Sequence, residues 1–324
     1  MSAAPPRAAV VVGTRGSALA RAQTELVGEL LRTAWPGLEL EVRPMVTAGD
    51  RTQASGQPLP EIGGKGLFTA ELERALRDGE IDLAVHSLKD LPTEDTTGVA
   101  IGAVCAREDA RDCLVSRDGV GLDDLREGAV VGTSSLRRQA QLMSRWPHLE
   151  TRSIRGNVDT RVRKVRAGEF DGVLLAAAGV RRLGLDSSVS EWLAPEAMLP
   201  APGQGALAVQ CRDDESTLTL LGAIDDLGAR SETTAERGFL RVLDAGCTAP
   251  VGAHATAVTE AAEEPSGSEP QGALRVRMNA LVASPDGREV VRVSGEGEPV
   301  ELGARLAREA LDAGADHILE EIRG

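Results

Sequence analysis

The tetrapeptide Val-Val-Gly-Thr occurs twice, at 11–14 and 130–133, and each copy is followed by a serine and a helical pattern. An apolar strand, a glycine break and a helix start open an α/β unit. Four residues in a Val- and Gly-rich chain can match by chance. The alternative is two similar domains, each presenting a helix N-terminus to an anion through free N–H groups and a positive dipole end. Neither junction carries G-x-G-x-x-G spacing, so a dinucleotide fingerprint is not supported.

Strands are expected at 7–14, 38–45, 81–85, 99–105, 112–116, 129–131, 149–154, 172–176 and 206–210. Helices are expected from Ser17, a good N-cap, to about Arg32, then at 67–77, to about Ser144, and at 157–167, 215–227 and 232–243. Residues 251–258, 274–283 and 289–294 alternate like antiparallel strands, and helices at about 300–313 and 316–321 close the chain. Leu199–Gly205 reads as a linker or hinge. The fold class is therefore α/β: two α/β domains, then a C-terminal α+β domain. The expected limits are 7–105 with about 204–226, then 106–203, then 228–324. The 206–210 strand returns to the first sheet.

The chain has 324 residues with three Phe, three Trp and no Tyr, so its core must be aliphatic. No apolar run suits a signal peptide or a membrane span. Cys105, Cys113, Cys211 and Cys247 form no C-x-x-C pair, which points to a reducing, cytoplasmic compartment. His86, His148, His254 and His317 are scattered, which argues against a metal site.

Charge is distributed unevenly. Between Gly132 and Arg182 eleven basic residues face four acids, in a chain of net charge −14. Such a cationic island predicts an anionic partner. Nucleic acid is a poor candidate, given the acidic balance and a basic window with almost no aromatic residues. Arg137 and Arg138 follow Ser134 and Ser135 in the first turn of a helix, where cations are unfavourable unless an anion arrives. Arg155-Gly156-Asn157 repeats the arrangement at the next junction, and Arg161, Arg163, Lys164 and Arg166 are largely a solvated helix face. Only three lysines occur, Lys65, Lys89 and Lys164, and two of them sit in loops. His86-Ser87-Leu88-Lys89-Asp90 follows a strand end, where α/β sheets place ligand sites. Beside the cationic island, Asp90 is the best candidate for a carboxylate acting on a cationic substrate atom. Cys247 lies in the loop Ala245–Pro250, while the other cysteines read as small core residues. For Cys247 a nucleophile, a covalent anchor and an inert loop residue all remain open.

Together these pieces resemble the porphobilinogen deaminase family. The matching stretches are Gly13-Thr14-Arg15 with Ser17, 63–68, 84–90, Arg107-Glu108-Asp109 with Arg111-Asp112, 131–139, 152–161, Ala178-Gly179 with 182–185, 199–205, and Gly246-Cys247 with Pro250. The resemblance implies two domains like periplasmic binding proteins around a cleft, and a third that carries the cysteine. It implies a transferase that joins four porphobilinogen molecules head to tail with loss of ammonia, after which water frees hydroxymethylbilane for tetrapyrrole and heme synthesis. The implied cofactor is a dipyrromethane held by a thioether to Cys247. Asp90 would assist loss of the amine and stabilise the positive azafulvene and pyrrole nitrogens. Arg15, Ser17, Lys89, Thr133, Ser134, Ser135, Arg137, Arg138, Arg155, Asn157, Arg161, Arg182 and Gln204 would bind cofactor or substrate, and Lys65 and Phe68 would lie on a loop over the cleft. No metal, nucleic acid or membrane is implied. A monomer is expected, with hand-off of product to the next enzyme of the pathway.

Two departures stand out. Glu61 occupies a place where many members have lysine, and 260–272 looks like an insertion, acidic and rich in Ser, Pro and Gly. A two-domain carboxylate-binding module would explain the arginines but not Asp90 or Cys247. A thiol enzyme would lack a base.

Overall fold

The computed structural model describes residues 5–47, 49, 69–246, 249–258 and 274–323. The first sheet collects β1 (Ala9–Arg15), β2 (Glu39–Met45), β3 (Leu83–Ser87), β4 (Ala100–Val104) and β10 (Leu207–Cys211), in the order β2-β1-β3-β10-β4. The second collects β5 (Asp112–Ser116), β6 (Val130–Gly132), β7 (Glu150–Arg152), β8 (Gly172–Ala176) and β9 (Glu191–Leu193), in the order β7-β6-β8-β5-β9.

The two orders are the same pattern. Three parallel strands stand beside one strand that is antiparallel to both of its neighbours. That strand is β10 in the first sheet and β5 in the second, and in each case the chain arrives from the other sheet. The Val-Val-Gly-Thr copies lie on the equivalent strands β1 and β6. Local bonds repeat as well. Asp82 accepts from Val11 N at 2.9 Å, and Asp171 accepts from Val130 N at 2.8 Å. A Cβ at Gly13 would stand 2.4 Å from Ile81, and one at Gly132 would stand 3.1 Å from Phe170. The tetrapeptide is therefore a structural repeat: its glycine admits the side chain that precedes the Asp of the neighbouring strand. β5 and β10 are buried throughout, as expected of central strands. Pro44 lies in β2, an edge strand, where a missing N–H is tolerated.

Helices α1 (Ala18–Ala34), α2 (Ala70–Arg77), α3 (Leu136–Arg145), α4 (Val158–Arg166), α5 (Ala177–Arg182) and α6 (Glu215–Gly222) accompany these sheets. Ser17 caps α1 as expected, its Oγ accepting from Ala20 N at 3.2 Å. A third, antiparallel sheet orders β11 (Val251–Ala257), β12 (Val276–Ala283) and β13 (Val290–Gly297). It shares a core with α7 (Leu227–Val242), α8 (Pro299–Ala310) and α9 (Asp316–Arg323), centred on Phe239, Met278 and Leu306. The expected pair of α/β units and the α+β unit are what these elements form.

Several boundaries differ from the sequence reading. Helix α7 starts at Leu227, not Glu232, because Asp226 caps it by accepting from Ala229 N at 2.7 Å. The preceding helix stops at Gly222, and Asp225 instead accepts from Val104 N at 2.7 Å. β9 and α5 were not anticipated: at three and six residues they are too short to show a period. The expected linker at 199–205 is instead buried chain crossing between the sheets. Gly205 has φ +93°, and a Cβ there would lie 2.3 Å from Glu108 O on the other crossing. The 260–272 segment lies outside the described residues.

Helices α7 and α8 cross closely. A Cβ at Gly303 would lie 2.3 Å from Ala235 O and 3.0 Å from Phe239 N, both backbone atoms that cannot rotate away. Gly303→Ala is expected to destabilise the protein by about 1–3 kcal/mol, read as a lower urea midpoint. An unchanged midpoint would show that the helices separate without cost.

Candidate active site

The site is built on a buried carboxylate. Asp112 opens β5 and is 0% exposed. Its oxygens accept from Arg137 Nη1 at 2.6 Å, from Arg138 Nη2 at 2.8 Å and Nε at 3.2 Å, and from Gln204 Nε2 at 2.8 Å. Burial alone would raise its pKa; the two guanidinium charges and their hydrogen bonds hold it far below the usual carboxylate range. The anion that the first turn of α3 calls for is therefore internal. Arg137 is committed to the framework, since Nη1 also reaches Leu199 O at 2.7 Å and the side chain does not line the cavity described below. Arg138 also donates to Leu174 O at 2.9 Å but does line that cavity.

Gln204 carries the connection across. It is fully buried, donates to Ala110 O and Asp112, and accepts from Lys89 Nζ at 3.1 Å. Lys89 and Asp90 belong to a 3₁₀ turn, Leu88–Asp90, that ends β3. One hydrogen-bonded chain thus runs from the second sheet's arginines to the lysine beside Asp90.

A cavity of about 260 Å³ opens at the junction of the two α/β units. Eight of the expected residues line it: Arg15, Ser17, Lys89, Asp90, Arg138, Asn157, Arg161 and Arg182. Arg15 ends β1, Asn157 precedes α4 with its side chain making no cap, and Arg182 ends α5. Arg155, Thr133, Ser134, Ser135, Arg137 and Gln204 are not in the lining. Ser134 bridges the strand ends, accepting from Ile154 N at 3.1 Å, and Thr133 accepts from Ser135 N at 3.1 Å. Lys65, Phe68, Glu61 and Cys247 lie outside the described residues.

The lining is cationic except at Asp90. Arg161 is not part of a solvated helix face. Burial first, then the charges of Arg138 and Arg155, lower its pKa to about 10, and its Nε donates to Gly156 O at 2.8 Å. Burial likewise lowers Arg182, partly offset by Glu108 and Cys105, and its Nη2 holds Gly205 O at 2.7 Å. Burial lowers Lys89 to about 8, with Asp90 opposing the shift and Arg138 adding to it. His86 is lowered to about 4 by burial and by Arg15, so it is neutral near pH 7, and it sits outside the lining. Cations that are buried, with Arg138 close to both Lys89 and Arg161, mark a site that gains free energy when an anion enters.

Two contributors escape a reading of the sequence by residue type. Gln23 lines the cavity and donates to Ser87 Oγ at 2.9 Å. Its signal was a polar residue on the buried face of α1, beside Thr24 and Val27. Asp112 was visible as an acid opening an apolar strand and as part of the Arg111-Asp112 match, with no role attached.

Residues 10–219 match the family model for the dipyromethane cofactor binding domain of porphobilinogen deaminase, and residues 231–312 match the model for its C-terminal domain. The chain belongs to the porphobilinogen deaminase family. It is 44% identical over 316 residues to the porphobilinogen deaminase of Macrococcus caseolyticus, covering 97% of this chain and 98% of that one. It is 45% identical over 318 residues to the Thermus thermophilus protein of the same name, covering 97% and 99%. The Brevibacillus brevis porphobilinogen deaminase matches at 45% over 313 residues, 96% of each chain. The first porphobilinogen deaminase model spans both five-stranded sheets except Ala9, and the whole cavity lining. The second spans most of α7 and α8, with Cys247 between them. Among the described residues no helix is long and apolar enough to cross a membrane.

Asp112→Asn leaves two buried arginines without their counter-charge, and about 3–5 kcal/mol of stability should be lost. Because the folded-state pKa is depressed, the carboxylate's contribution is present above the unfolded value of about 3.9 and is lost as pH falls from there toward the much lower folded value. The gap between the urea midpoints of the two proteins should therefore begin to narrow as pH falls from 7 to 3. A constant gap would contradict the assignment.

Proposed function

We propose that this chain is a porphobilinogen deaminase: it joins four porphobilinogen molecules head to tail, releases ammonia at each step and hydrolyses the product to hydroxymethylbilane. The observation that carries this reading is that, among the described residues, the charged groups lining the cavity are one carboxylate, Asp90, and five cations, Arg15, Lys89, Arg138, Arg161 and Arg182. Porphobilinogen bears an acetate and a propionate, so a growing chain is polyanionic, whereas the nitrogen chemistry at each coupling is cationic. The field of the cavity suits both. The same charge pattern suits a dipyrromethane, whose side chains are carboxylates. Bound through Cys247, it would supply the pyrrole end to which units are added.

Arg15, Arg138, Arg155, Arg161 and Arg182 take carboxylates in this reading, the guanidinium forks matching them two bonds at a time. Ser17, Thr133, Ser134, Ser135 and Asn157 offer shorter, neutral partners. Arg137 and Gln204 act from behind, through Asp112 and Lys89. Asp90 faces the pyrrole nitrogens, where a fixed negative charge stabilises positive charge as the amine leaves. Lys65 and Phe68 belong to the covering loop. The domain limits 7–105 with 204–226, 106–203 and 228–324 accord with the membership of the three sheets. The buried free thiols Cys105, Cys113 and Cys211 suit a reducing cytoplasm. A monomer that hands its product to the next enzyme completes the proposal.

Intact mass of the purified protein should exceed the sequence mass by a dipyrromethane, and the excess should vanish in Cys247→Ser. An active protein of unmodified mass would sink the reading. Asp90→Ala should carry the cofactor yet lose turnover by about 10²-fold or more. Near-normal product formation would refute the role. Lys89 loses its charge as pH rises through about 8, so kcat/KM, which reports the free enzyme, should fall there. In Lys89→Arg that fall should move to higher pH, and an unmoved profile would remove Lys89 from carboxylate binding.

A further inference from the structure

Asp90 sits on a short turn flanked by two buried leucines, Leu88 and Leu91. Leu88 is buried, and its N–H donates to Ala206 O at 3.0 Å, which ties the turn to the chain entering β10. Beyond Asp90 the segment Leu91-Pro92-Thr93 runs along α7. There two arginines one helical turn apart take successive carbonyls. Arg237 donates through Nη1 to Leu91 O at 3.2 Å and through Nη2 to Pro92 O at 2.6 Å, and Arg241 donates through Nε to Thr93 O at 2.9 Å. Charged donors make these stronger than ordinary carbonyl bonds. Leu91 also packs with Ala229 of α7 in one apolar cluster, but the packing around the turn is incomplete. A cavity of about 180 Å³ lies between the turn and α7, lined by Leu88 on one side and by Arg237, Gly238 and Arg241 on the other.

We infer that Arg237 and Arg241 are positioning residues for Asp90: α7, an element of the third unit, fixes the one carboxylate in the described cavity lining by clamping the three residues after it. The inference rests on the role given to Asp90 above. It assigns the third unit a part in the coupling steps beyond carrying Cys247. The geometry supports it in three ways. Both arginines lie on one face of α7, four residues apart. Their acceptors are consecutive. The open space beneath gives a released segment somewhere to go, and a shift of about 1 Å in a reacting group costs roughly 10²-fold in rate.

The test uses the cofactor-loaded enzyme and the variants Arg237→Gln, Arg241→Gln and Arg237→Lys. Arg230→Gln is the control. Arg230 lines the same cavity, but it pairs with Asp225 and donates to Ile101 O and Gly102 O, away from the Asp90 segment. In Arg237→Gln, kcat for porphobilinogen should fall about tenfold to a hundredfold, with KM changed less than about twofold and the cofactor mass retained. Arg241→Gln should show a smaller loss of the same kind. Arg237→Lys should recover part of kcat, and Arg230→Gln should keep it. Amide exchange of peptides covering 88–95 should speed up in Arg237→Gln and Arg241→Gln and stay as in the parent in Arg230→Gln. Unchanged kcat and exchange in both glutamine variants would overturn the inference. So would an equal loss in Arg230→Gln, or a loss explained by missing cofactor. A parent enzyme that does not turn over porphobilinogen would refute the proposed function instead, and the exchange measurement would still decide the clamp. If Arg237→Gln does not fold, Arg241→Gln at the more exposed end of α7 decides it.

Discussion

A buried carboxylate, Asp112, fixes the geometry of this molecule. A charge placed where water cannot reach it must be matched, and the match here comes from two arginines on α3 and from Gln204 on a crossing segment. Those partners come from distant parts of the chain, so the contact welds the second sheet, its first helix and the crossing chain into one body. Its consequence for the site is indirect but large. Arg138 is held by the carboxylate on one side and presents its remaining surface to the cavity on the other. Lys89 is held through Gln204 at the neighbouring position. Both cations stand ready before any ligand enters, and electrostatic preorganisation of this kind requires no rearrangement at the moment of reaction.

A second buried carboxylate does similar work between the crossing segments and the third unit. Glu236 on α7 is 0% exposed and accepts from Arg107, from Gly203 N at 2.7 Å and from Ala255 N at 2.7 Å. Both crossings of the chain are thus gripped, one by Asp112 with Gln204 and one by Glu236 with Arg107. The close approach of Gly205 to Glu108 O leaves no room for looseness there. The joint between the α/β units is stiff where the chain passes through it, and the cationic walls sit on either side of that joint.

Much of the site was legible in the sequence, for a physical reason in each case. Glycine before a helix start marks a junction, serine at such a start marks a cap, and an excess of arginine over acid marks a place that wants an anion. Ser17 and Asn157 stand at helix starts, and Arg15, Arg138 and Arg161 are among the cations that reach the cavity. The Val-Val-Gly-Thr repeat was visible too, but its meaning was not. Only the paired Asp82–Val11 and Asp171–Val130 bonds distinguish a structural repeat from a coincidence. Arg137 illustrates the opposite error. Its place beside Arg138 suggested one shared role, yet a one-residue step on a helix rotates a side chain by about 100°. One arginine therefore meets the cavity while the other meets Leu199.

Order along the chain, strand and helix character, the sign of the local charge and the place of Asp90 at a strand end followed from the amino-acid sequence itself, because each depends on residues close together in the chain. Which cations face the ligand and which are spent on Asp112 was decided by tertiary structure alone. So was the grip of Arg237 and Arg241 on the segment after Asp90. These contacts join residues from about 25 to 150 positions apart. No local pattern encodes such partners, since the pairing exists only once the backbone has folded and water has been excluded.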